Sequence, residues 1–157
     1  MEIAFPPLHP LVVHAAVVLL PLAAIGALVI VLWGRARERY GSLVAAGAIA
    51  AAGAVIAARL SGEVLAGTTT GTGTLGAHMF WGLIAPWPAG ALALAVTGFV
   101  LTARRTPSGT PGTVPAGQTG KGALRTTLAI VTAAAAVVSL VVVIITGHLG
   151  ATAVWVG

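Results

Sequence analysis

Four histidines, His9, His14, His78 and His148, are the residues of this 157-residue sequence best suited to chemistry, and Arg59 and Glu63 stand beside them four positions apart. The remaining inventory is sparse. There is no cysteine, which excludes disulfides, thiolate metal sites, Cys-ligated iron–sulfur clusters and thioether-linked haem. No Ser or Thr sits in a nucleophile elbow or an SxxK arrangement, so acyl transfer has no candidate nucleophile. The only acids are Glu2, Glu38 and Glu63, too few for paired-carboxylate catalysis. Ion-coupled transport expects broken helices with acidic residues at mid-membrane, and none fall there. Imidazoles from different helices suit two tasks: axial ligation of a b-type haem, or coordination of Cu or Zn. Tetrahedral Zn asks for three or four of the histidines around one ion, whereas haem asks for two.

The elements that must position these residues are membrane spans. Hydrophobic residues make up 58% of the chain and charged ones 7%, against roughly 25% charged in a soluble domain, so water is not its main solvent. Four apolar runs, at about 10–33, 42–61, 77–103 and 123–148, each reach the roughly 20 helical residues needed to cross a bilayer. The expected fold is all-α, an integral membrane up-down-up-down four-helix bundle forming one domain over 1–157. No Lys or Arg precedes the first run, which argues against a cleaved signal peptide. Pro21 in the first span and Pro86 with Pro88 in the third should kink those helices.

Three connections separate the runs: basic GRARERYG, uncharged AGTTTGTGTLG, and basic, Pro/Gly-rich RRTPSGTPGTVPAGQTGKG. Seven of the eight basic residues, Arg35, Arg37, Arg39, Arg104, Arg105, Lys121 and Arg125, fall in or beside the first and third. The positive-inside rule then places those two in the cytoplasm and both termini outside, in a bacterial inner membrane. This charge distribution follows topology, with no basic face interleaved with aromatics, so nucleic acid is not an expected partner.

On that topology all four histidines, with Arg59 and Glu63, fall in one layer at the outer end, where ionisable groups usually face the bundle interior. The first and third helices of such a bundle are diagonal, so His14 and His78 could approach a flat ring from opposite sides. Arg59 suits a propionate, and the small residues of the second and fourth spans leave room for a macrocycle. His9 lies five residues before His14, roughly 140° around a helix, which makes His9 and His148 second-choice ligands, propionate partners or a second site. Blander readings stand beside these. His9 before Pro10 reads equally as a solvated interfacial residue, His14 as a satisfied core histidine, His78 and His148 as interfacial groups, and Arg59–Glu63 as a surface ion pair. Trp33, Trp81, Trp87 and Trp155 read as an interface belt, with Trp81 or Trp87 alternatively packing on a cofactor.

The string LHPLVVHAAVVLLPLAA resembles the HPxxVHFP-type opening of the DUF2231 membrane family, and TGHLGATAVWVG is similar to that family's GGHLVYxxGVGV ending. With AHMFWG at the start of the third span, the resemblance runs end to end. It singles out His9 with Pro10, His14, His78 and Gly147-His148, while Ala15 stands where the family usually has Phe. Such members are sometimes fused to Rieske iron–sulfur domains, which implies a place in electron transfer. The function expected is therefore a non-enzymatic, haem b-binding electron relay near the outer surface, with lipid around it, a redox protein partner, and room for oligomerisation. The alternatives are a His-rich Cu/Zn-binding protein and a cofactor-free structural subunit. For orientation, a Thr70→Cys variant should label from outside intact cells and Gly112→Cys should not; the reverse pattern would invert the topology.

Overall fold

In hydrocarbon no water satisfies the backbone, so each N–H and C=O must bond within its own segment, and apolar runs of this length become helices. A computed structural model describes residues 8–66, 74–104 and 118–155 of the chain. It contains α1 (Leu8–Leu32), α2 (Gly34–Ala66), α3 (Thr74–Ile84), α4 (Pro86–Arg104) and α5 (Gln118–Trp155). Four spans long and apolar enough to cross a membrane result, Leu11–Leu32, Gly34–Val64, Gly76–Arg104 and Gly122–Thr152. The connections expected around Thr70 and Gly112, and Gly157 at the end, lie outside the described residues.

Two local expectations change. GRARERYG is not a connection but the opening of α2, leaving Trp33 alone between two helices. Arg, Ala and Glu are good helix formers, so their charge marks the membrane edge without stopping the helix. Trp33 N–H bonds to Val29 O at 2.8 Å and Arg37 N–H to Trp33 O at 3.0 Å, so the reversal leaves few backbone groups unpaired. The third span is two helices, divided at Ala85. Pro86 and Pro88 donate no hydrogen bond, and their rings crowd the carbonyls four residues earlier, but Ala85 N–H to Trp81 O at 3.0 Å and Ala89 N–H to Ala85 O at 3.4 Å carry the helical spacing across the interruption. Pro21, by contrast, lies inside the unbroken α1.

α1 packs along α2, and α4 along α5; α1 also meets α5, and α2 meets α4. Spans one and three are thus diagonal, as are two and four. α3 leans on α5, barely touches α2 and α4, and keeps its backbone clear of α1. The core is small-residue packing: Ala24, Ala27, Ala51, Ala89 and Ala136 have no exposed surface, while Leu22, Leu94 and Ile144 are 62%, 78% and 66% exposed. Where lipid offers apolar contact everywhere, close backbone approach drives association, and the alanines pack around a few large buried side chains, Leu20, Ile30, Leu92 and Phe99. At Gly26 a Cβ would stand 3.1 Å from Val44 Cγ2, so the absence of a side chain lets α1 and α2 meet closely there.

Ala24→Leu, at a position with no exposed surface, should overpack the core and destabilise the bundle by about 1–3 kcal/mol. Leu22→Ala, on the lipid face, should stay within about 0.5 kcal/mol. Reversible unfolding in bicelles measures both, and equal losses would overturn the assignment of inner and outer faces.

Candidate functional site

Because α1 leans on α2 while α3 leans on α5, a gap opens between the two hairpins at the end opposite Arg37, Arg104 and Arg125. It forms a cavity of about 520 Å³, within the roughly 300–1,000 Å³ range of small-molecule sites. Its wall is mainly apolar, with Val13, Leu20, Val55, Leu83 and Val143 among the lining residues, and its polar side chains include His9, Arg59, Glu63 and His78.

His78 enters from α3 and is held by α5. Its Nδ1 lies 2.9 Å from Thr146 O, and a carbonyl only accepts, so Nδ1 carries the proton. Gly150 makes this approach feasible: a Cβ there would be 2.9 Å from the ring Cε1. The Thr146 side chain does not compete, since its hydroxyl donates to Val142 O at 2.7 Å. In the neutral ring Nε2 then carries the lone pair.

His9 repeats the arrangement on the other hairpin. Its Nδ1 lies 3.0 Å from Ser61 Oγ, and that hydroxyl already donates to Ala58 O at 3.0 Å. Nδ1 of His9 is then the donor and Nε2 again the basic nitrogen. Gly62 supplies the space, because a Cβ would meet His9 Cε1 at 3.0 Å. An imidazole whose Nδ1–H is tied to an oxygen has its tautomer and ring plane fixed, which is how protein ligands for metals are usually oriented.

Arg59 borders the same cavity and donates from Nε to Glu63 Oε1 at 3.0 Å. The pair is part exposed, the side chains 33% and 54% accessible, so it is worth little to stability. The terminal guanidinium nitrogens have no partner among the described residues and suit a second carboxylate in bidentate fashion. His14 and His148 are exposed and absent from the cavity lining. The expected leading pair, His14 with His78, is therefore not brought together here; His9 takes the place across from His78. The reason is rotational: α1 is already helical at Leu8, so His9 and His14 lie roughly 140° apart on a regular helix and only one can face inward. Trp87 is 76% exposed and Trp81 packs edge-on against Phe80, with ring centroids 6.1 Å apart. Neither lines the cavity.

Sequence reasoning missed Ser61, Gly62, Thr146 and Gly150. The Gly147–Gly150 string drew notice for His148, whereas its second glycine serves His78. A glycine four residues beyond a threonine in an otherwise apolar helix was the available signal.

The family of predicted membrane proteins named DUF2231 matches residues 5–157. No curated protein and no solved structure matches the chain.

In ¹⁵N-histidine NMR of the full chain, His9 and His78 should appear as fixed Nδ1–H tautomers. Gly150→Val should release His78 into tautomer exchange and leave His9 unchanged. An unchanged His78 signal would show that Gly150 does not hold the ring.

Proposed function

The chain belongs to the DUF2231 family of predicted membrane proteins, and on that premise we propose that it binds a b-type haem between His9 and His78 and relays electrons near the outer surface of a bacterial cytoplasmic membrane. The observation that carries this reading is the matched pair of imidazoles on diagonal spans, each with Nδ1–H committed and Nε2 available, bordering one apolar cavity. Two neutral imidazoles are the ligand set of a low-spin haem, which supplies a one-electron couple. The residues present fit that group. α1 and α3 stand apart, so a flat ring has room between their histidines against a mainly apolar wall. Arg59 would meet a propionate at the mouth, with Glu63 steadying the guanidinium.

Coordination of Cu or Zn has less support, because no group of three or more His, Cys, Asp or Glu among the described residues is placed to hold an ion. The outward orientation of the histidine end follows from the arginines gathered at the other end. A relay so close to the surface implies a redox protein partner rather than a reaction of its own.

The purified full chain, supplied with haem during expression, should show a low-spin spectrum with a sharp reduced α band. His9→Ala and His78→Ala should each abolish that band or convert it to high spin. His14→Ala and His148→Ala should retain it. Retention in all four variants, or a wild type without Soret absorption, would sink the haem reading and leave a cofactor-free subunit or a metal site.

A further inference from the structure

A second cavity, of about 320 Å³, lies at the opposite end of the bundle and is lined by Arg37, Glu38, Val100, Ala103, Arg104 and Arg125. Its arginines come from three helices, α2, α4 and α5. Three positive groups and one negative leave a net charge of +2 in one concavity. Among the described residues none of these arginines is in an ion pair, the only such pair being Arg59–Glu63. Arg37 and Arg125 act on each other as like charges, an arrangement that costs more beside the apolar Val100 and Ala103 than in open water.

Topology alone would be served by arginines splayed into water. Arg35 and Arg39 are exposed and outside the lining, but Arg37 is fixed inward. Its guanidinium lies 5.3 Å from the centre of the Phe99 ring, and Nη1 is 3.5 Å from Ile30 O, at the outer limit of a hydrogen bond. Gly41 lets α2 close on α4 there, since a Cβ would stand 3.2 Å from Val100 Cγ2.

We propose that this cavity binds a phosphate group, carried either by an anionic lipid headgroup or by a free phosphate. Guanidiniums present paired N–H donors matched to phosphate oxygens, and basic pockets between spans at the membrane edge are suited to lipid headgroups. Leu101 and Leu124, exposed and close in sequence to Arg104 and Arg125, offer an apolar flank for acyl chains.

Native mass spectrometry of the full chain in detergent, with thermal melting in parallel, tests this with three probes: phosphatidylglycerol, phosphatidylcholine and inorganic phosphate. Phosphatidylglycerol should be retained and raise the melting point, and phosphatidylcholine should do neither. If inorganic phosphate alone reproduces the shift, the free anion is the ligand; if it does not, the lipid is. Arg37→Gln with Arg125→Gln should weaken retention by about fivefold per arginine removed, and Arg35→Gln with Arg39→Gln should not. Should the first pair fail to fold by circular dichroism, Arg104→Gln, on an exposed residue, gives the single-arginine effect. Equal binding of the two lipids overturns the proposal. So does wild-type retention in the cavity variants, or equal loss in the control pair.

Discussion

Apolar surroundings on both sides of every helix are the constraint from which this structure follows. A soluble bundle sorts its side chains by polarity; here that sorting has little to act on, and closeness of packing takes its place, with Leu20, Leu92 and Phe99 buried among alanines. Alanines such as Ala24, Ala51 and Ala89 go inside because they let backbones approach, and dispersion between close backbones is what lipid cannot match. Leu22, Leu94 and Ile144 go outside at no cost. A tight, small-residue seam along each hairpin leaves unfilled space where the hairpins diverge, and the histidine cavity is that space.

The same solvent dictates how polar groups are handled. Thr97 and Thr152 return their hydroxyls to the carbonyls four residues earlier, a satisfaction available inside any helix. An imidazole cannot do this and must find an oxygen on a neighbouring helix, which demands that the neighbour lack a side chain at the contact. Gly62 and Gly150 are those vacancies. Thr132 and Ser139, fully buried on α5, have no partner for their hydroxyls among the described residues; two turns apart, they lie on one face of that helix.

Depth was legible in the sequence and rotation was not. Run length and flanking arginines located the four spans, and the pairing of basic connections fixed an up-down-up-down order that α1, α2, the α3–α4 pair and α5 reproduce. The histidine-bearing layer also stood out, because position along a span converts directly to height. Which histidine faced inward did not. A helix apolar all round carries no amphipathic stripe to orient it, so Val13, which lines the cavity, looks like exposed Val18 until neighbours are known. The misread GRARERYG has a related cause: charge signals the membrane boundary, and helix propensity, which continues across it, is a separate property.

Trp33, alone between α1 and α2, bears on the order of assembly. The first hairpin closes over one residue, whereas 13 residues of sequence, 105–117, separate α4 from α5. Loop-closure entropy rises with the length spanned, and local contacts form sooner than distant ones. α1 and α2 can zip together while the rest of the chain is still being synthesised, and α3 to α5 must find one another afterwards. The histidine cavity, bounded by both units, is then the last part of the molecule to take shape, since neither hairpin encloses it alone.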